Sequence, residues 1–244
     1  MNILIYTDNV SNNHILYYAL GKLRGKKSVH FVNANQILAG ALSPAIDLFV
    51  MPGGASRYKA AKLEGKANDL IKKYINSGGN YLGICAGAYM GCETTYWAKG
   101  QPFEIICQNP LNFFKGIAIG PIKDFGQASN YEGTDARLVK LEIKGKIVSS
   151  LYLGGCIFEP QQDGPYEVLA RFHELPEKPP AIVYGQYGQG SWLLSSTHPE
   201  YDSEAIQLMS FNVLGNDYED FSQLNKSPDL SLDTLDYLLA KSMG

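Results

Sequence analysis

Over the first ninety positions, apolar residues fall into short runs divided by polar or glycine-rich turns, and between several of these runs they recur at helical spacing. Asn2 to Tyr6, Val29 to Val32 and Ile46 to Met51 read as strands; the third is apolar except for Asp47, as expected of a strand covered on both faces. His14 to Leu23 and Lys66 to Asn76 carry the helical period, and in the second Ala67, Leu70, Ile71, Tyr74 and Ile75 share one face. Strands alternating with helices predict repeated βαβ units and hence a mainly parallel sheet. After a turn at Ser77-Gly78-Gly79-Asn80, Tyr81 to Ile84 is one more apolar strand, and a helix opens at Ala86.

Beyond that helix the pattern changes. Phe103 to Gln108, Leu138 to Ile143 and Lys146 to Leu153 read as strands separated by turn-rich segments, which predicts an antiparallel extension of the sheet. Ala181 to Gln186 and Ser191 to Ser195 form a hairpin across Tyr187-Gly188-Gln189-Gly190. Helices are expected from Ser203 to Leu214 and from Leu230 to Lys241. The more acidic and polar stretch from Asn216 onward divides the chain into a main domain, 1–215, and a C-terminal helical tail, 216–244.

The 244 residues carry 21 Lys and Arg against 24 Asp and Glu, a net charge of -3, with no long run of either sign. That balance argues against an electrostatic grip on nucleic acid or on a membrane surface and points to small molecules or proteins as partners. Cys85, Cys92, Cys107 and Cys156 show neither C-x-x-C pairing nor zinc-finger spacing, so no metal, no cofactor and no disulfide framework is expected. Met1 opens directly into a strand, and no apolar run approaches a membrane span, so a soluble, cytoplasmic protein is expected.

Candidate chemistry centres on Gly83-Ile84-Cys85-Ala86-Gly87, a strand, a sharp corner and a helix start with a thiol on the corner. Glycines two positions either side remove side chains that would clash across a strained turn, and the N–H groups of a helix start stabilise negative charge beside it. Pro52-Gly53-Gly54-Ala55 ends the third strand where open α/β sheets bind ligands. Its glycines suit either an ordinary strand-to-helix turn or one donor of an oxyanion hole, with the Ala86 N–H as the other. Pro199 holds Thr197-His198-Pro199-Glu200 extended, which places His198 and Glu200 on one face as a base and its orienter. Asp8 fits either the cleft or a helix cap or turn, and the glycine and aromatic segments 111–116 and 152–158 fit either a pocket lining or the core.

Gly83-Ile84-Cys85-Ala86-Gly87 with a later His198-Pro199-Glu200 resembles a class I glutamine amidotransferase domain. Y-T-D-N-V-S from Tyr6, M-P-G-G-A from Met51, the block from Gly78 to Gly91, L-N-F-F-K-G from Leu111 and the block from Tyr187 to Tyr201 resemble more closely the N-terminal domain of eukaryotic-type biotin-protein ligases. The resemblance implies a flavodoxin-like three-layer sandwich with Cys85 as nucleophile, His198 as general base, Glu200 as orienter, and Gly53, Gly54 and Ala86 as oxyanion donors. It implies an amidase acting on an amide of an unknown small molecule, with glutamine as the first substrate to test, or else a non-catalytic ligand- or partner-binding module. A synthase or a ligase is the protein partner it suggests. No segment of G-R-G-R-x-G type is present, so biotin transfer by this chain alone is not implied.

Overall fold

The computed structural model describes residues 1–8, 13–126, 136–161, 164–208 and 230–243. The first half alternates strand and helix: β1 (Ile3–Tyr6), α1 (His14–Arg24), β2 (Val29–Val32), α2 (Ala34–Leu38), β3 (Leu48–Met51), α3 (Ser56–Lys62), α4 (Lys66–Asn76), β4 (Asn80–Ile84) and α5 (Ala86–Gly91). The second half is dominated by strands: β5 (Cys92–Trp97), β6 (Ile105–Gln108), β7 (Phe114–Gly120), β8 (Ala136–Ile143), β9 (Lys146–Leu153), β10 (Ile157–Pro160), β11 (Tyr166–Phe172), β12 (Pro180–Tyr187) and β13 (Gly190–Ser195), then α6 (Ser203–Leu208) and α7 (Asp233–Met243).

Nine strands form one sheet in the order β2-β1-β3-β4-β13-β12-β11-β8-β9. From β2 to β13 every pairing is parallel, and from β13 to β9 every pairing is antiparallel. The parallel part reverses direction of winding at β1 and β3, the point at which such sheets open a crevice at the strands' carboxyl ends. A second sheet, β10-β7-β5-β6, lies apart from the first.

Strands β1, β3 and β13 are buried at every position, because both faces are covered. Alternate residues serve separate cores. Ile3, Ile5, Val50 and Ile84 pack in the core that takes Leu16 and Leu20 of α1 and Leu235, Leu238 and Leu239 of α7. Leu4, Tyr6, Phe49 and Met51 pack in the other, with Ile71 and Ile75 of α4, Tyr89 of α5 and Phe114 of the second sheet. The architecture is thus a three-layer α/β sandwich with a parallel centre and an antiparallel extension.

The predicted helix over Leu230 to Lys241 corresponds to α7, which is joined to the sheet where Ser191 Oγ donates to the Ser242 carbonyl at 2.9 Å. The predicted helix over Ser203 to Leu214 is present as α6, and its later part lies outside the described residues. The strand expected from Phe103 begins at Ile105, after a turn in which the Glu104 N–H donates to the Gln101 carbonyl. Strands β5, β7, β10 and β11 and helices α2 and α3 were not among the predicted elements. Among the described residues no helix is long and apolar enough to cross a membrane.

Candidate active site

Cys85 stands on the corner between β4 and α5 with φ +50° and ψ -106°, a left-handed conformation that costs a non-glycine residue roughly 1–3 kcal/mol. Its neighbours hold that strain. The Cys85 N–H donates to the Ser195 carbonyl at 2.8 Å, the Cys85 carbonyl accepts from the N–H groups of Ala88 and Tyr89, and the Tyr81 hydroxyl donates to the Gly87 carbonyl at 2.8 Å. A Cβ on Gly83 would meet the Gly87 carbonyl, and a Cβ on Gly87 would meet that of Met51, so both glycines are required by close backbone approach. Only 7 % of Cys85 is exposed. Its Sγ donates to the Leu153 carbonyl at 3.4 Å.

His198 follows β13 and is held to the antiparallel extension through a bridge to Leu151, whose carbonyl accepts the His198 N–H at 2.8 Å. Pro199 and Glu200 form a turn, so the pairing of His198 with Glu200 arises from a reversal of the chain and not from the extended geometry expected. His198 Nδ1 lies 2.8 Å from Glu200 Oε1, and both side chains are buried. Nε2 makes no hydrogen bond of good geometry. Burial lowers the pKa of this imidazole, but the Glu200 carboxylate and the Cys85 sulfur outweigh it and push the ring up to about 10. Tyr201 stands edge-on to the ring, 5.8 Å between centroids.

Gly53 and Gly54 occupy the tip after β3 and are not equivalent. A Cβ on Gly53 would lie 2.6 Å from His198 Cε1, so this glycine makes room for the imidazole. Gly54, with φ +107°, lines a cavity of about 470 Å³ together with Cys85, Ala86 and His198. Of the two aromatic segments, 152–158 contributes Leu153 and Gly154 to this cavity, whereas Leu111, Phe113 and Phe114 go into the core. Cys92 and Cys156 are fully buried, and burial pushes both thiols well above the ordinary range. Among the described residues no group of three or more His, Cys, Asp or Glu could hold a metal ion.

A family model described as "Biotin-protein ligase, N terminal" matches residues 1–243. The chain belongs to that family. An uncharacterized protein of Chlamydia muridarum is 33% identical over 221 residues, which cover 87% of this chain and 85% of that protein. A biotin–protein ligase of Schizosaccharomyces pombe is 27% identical over 222 residues, covering 86% of this chain and 35% of the ligase. The chain therefore matches about a third of that relative's length. Among solved structures, a glutamine amidotransferase superposes with a TM-score of 0.57 at 21% identity, covering 81% of this chain and 90% of that one. PurLQS from Thermotoga maritima superposes with a TM-score of 0.60 at 15% identity, covering 98% of each chain. At these identities the likeness is one of fold, the flavodoxin-like sandwich.

In this member of the biotin-protein ligase N-terminal family, two features escaped the sequence reading. Asp8, at the end of β1, lies in neither an open cleft nor a helix cap, since Asn13 precedes α1: its Oδ2 pairs with Nζ of Lys59 on α3 at 3.0 Å. Lys59 is fully buried, its ammonium 5.4 Å from the centre of the Tyr6 ring. Burial lowers the Lys59 pKa, against the opposing pull of Asp8 and of Cys85. The second feature is the far wall of the cavity, Thr95 and Trp97 of β5 with Ile105 and Cys107 of β6. The aromatic and β-branched content of Cys92 to Trp97 is the one signal that points to that strand.

Proposed function

We propose that this chain is a cysteine-dependent amide hydrolase of glutamine-amidotransferase type, acting on an amide of a small molecule. Cys85 is the nucleophile, His198 the general base and then acid, and Glu200 orients the imidazole. The observation that carries this reading is the left-handed corner at Cys85, whose sulfur shares a cavity with a buried His198 held through Nδ1.

In the first half-reaction Sγ of Cys85, whose proton rests on His198 Nε2 in the imidazolium form, bonds to the carbonyl carbon of the amide. The N–H groups of Ala86 and Gly54 receive the negative charge that develops on oxygen. Collapse breaks the C–N bond, and the imidazolium returns the proton to the departing amine. Water then attacks the thioester while His198 takes its proton, releasing a carboxylic acid and freeing Cys85. The sum is amide plus water to carboxylic acid plus amine.

A panel of small primary amides assayed for ammonia release tests the reading, with mass spectrometry to trap an acyl group on Cys85. Cys85→Ala is expected to lose about 10³-fold or more in rate. Turnover that survives in Cys85→Ala would sink the proposal. One contact favours a second reading, a non-catalytic binding module: the Cys85 thiol is already engaged by the Leu153 carbonyl. Amide binding without turnover, unchanged in Cys85→Ala, is its signature. A ligase or a synthase is the protein partner we propose for either form, and co-purification tests that association.

A further inference from the structure

The cavity beside Cys85, about 470 Å³, is of a size that takes a small ligand, and its walls are mainly apolar. Tyr89 and Met90 come from α5, Leu153 from the end of β9, and Trp97 and Ile105 from the second sheet. Trp97 stands edge-on to Tyr89 with 5.6 Å between ring centroids, which fixes both rings as a surface. Asn109 is polar, yet its Nδ2 is committed to the carbonyls of Tyr89 and Cys92 at 3.0 Å and to Thr95 Oγ1 at 2.9 Å. Three acceptors already compete for two hydrogens, so this amide has no donor to spare.

The charges are one-sided. Among the described lining residues the ionisable groups that carry positive charge are Arg57, exposed on α3, and His198, and none is Asp or Glu. Glu200 and Asp8 do not line the cavity, and each is paired, with His198 and Lys59. A free amino acid would bring an α-ammonium into a space with no Asp or Glu among its described lining residues and beside two cationic groups. An unpaired charge taken out of water is costly, and like charges add to that cost.

We infer that this cavity admits the uncharged, apolar acyl part of an amide and excludes a free α-amino acid such as glutamine. The reaction rests on the hydrolase reading above, and the selectivity rests on the cavity alone. An acyl chain of aliphatic or aromatic carbon fills the space between Tyr89, Trp97, Ile105 and Leu153, and an anionic group at its far end would be met by Arg57.

The test separates the two. Alkylation of Cys85 by iodoacetamide is followed by peptide mass spectrometry at rising 4-phenylbutyramide or glutamine, and ammonia release from the same two amides is measured in parallel. Phenylbutyramide is expected to protect Cys85 at concentrations at least about tenfold lower than glutamine, and to be hydrolysed with a kcat/KM higher by a similar factor. Trp97→Ala is expected to weaken that protection about tenfold. Ile105→Asp, on the half-exposed β6, makes the same test where Trp97→Ala does not fold. Equal or better protection by glutamine overturns the inference, with or without turnover, and so does protection by neither amide. Protection by phenylbutyramide without ammonia release upholds the selectivity and defeats the hydrolase reading instead.

Discussion

The five parallel strands and the small second sheet meet at one cavity, and they contribute different things to it. From the parallel strands come Cys85 after β4, the glycine tip after β3 and His198 after β13, all rooted in strands whose residues are almost wholly buried. From the second sheet come Thr95, Trp97, Ile105 and Cys107, and its outer strand β6 alternates between half-buried and exposed residues. Groups that must hold sub-ångström geometry sit where two packed faces forbid drift; groups that only shape a wall sit on the small second sheet, two of them on its edge strand β6. Substitutions in the parallel part should therefore damage stability and rate, and substitutions in the second sheet should act on which ligand binds.

The largest effect is expected in the parallel part, at a pair that does no chemistry. Lys59 and Asp8 tie α3 to the end of β1 inside the protein. Lys59→Met removes the ammonium that pairs with the buried Asp8 carboxylate, and the loss should be about 3–5 kcal/mol of unfolding free energy. Urea titration measures it. The double variant Asp8→Asn, Lys59→Met should recover much of that loss, because no charge is then left buried alone. A single-variant loss under about 1 kcal/mol, the scale of an exposed pair, would remove this pair from the account of what ties α3 to the end of β1.

The same division explains what could be read from the chain and what could not. The elbow was legible because Gly83 and Gly87 flank Cys85 at the spacing that close backbone approach demands, and because Tyr81 to Ile84 is apolar throughout. The nearness of His198 to Glu200 was also legible, although the turn that creates it was not. β5 was hidden because Cys92 follows α5 without a break, so nothing local separates the helix from the strand. In β7, Gly116 and Gly120 resemble loop residues, and they stand in a strand because Phe114 and Ala118, on the same face of it, pack in the core. Lys59 gave no signal in the sequence, because a lysine is seldom buried; only the approach of α3 to the end of β1 makes it a buried partner.

A smaller effect, on rate, is expected at Gly53. Gly53→Ala places a methyl group 2.6 Å from His198 Cε1, too close for either to stay in place. Displacing the ring by a fraction of its width should cost about 10²-fold in kcat with little change in KM. The contrast with Ile105→Asp is then direct, since that variant should act on KM. Steady-state kinetics on the two variants with one amide distinguishes them, and a pure KM effect at Gly53 would break the division drawn above.

The smallest effect at neutral pH is expected at Glu200, and it grows with pH. His198 is held at about 10 against an ordinary value of 6.5, burial lowering it and Glu200 and Cys85 raising it. A value raised on folding means that the imidazolium's contribution to stability is fully present below 6.5 and is lost as pH rises through about 10. The alkaline limb of activity follows the same proton, because the imidazolium must protonate the departing amine. Glu200→Gln removes the principal raising charge and keeps the size of the side chain, so that limb should move down from about 10 toward the ordinary histidine range. At pH 7 the rate should fall about tenfold, and at pH 9 by considerably more. The full pH–rate profile of wild type and variant is the measurement. A limb that stays in place would mean that Glu200 positions the ring without setting its charge, and the proton held on His198 would then have to be attributed to Cys85.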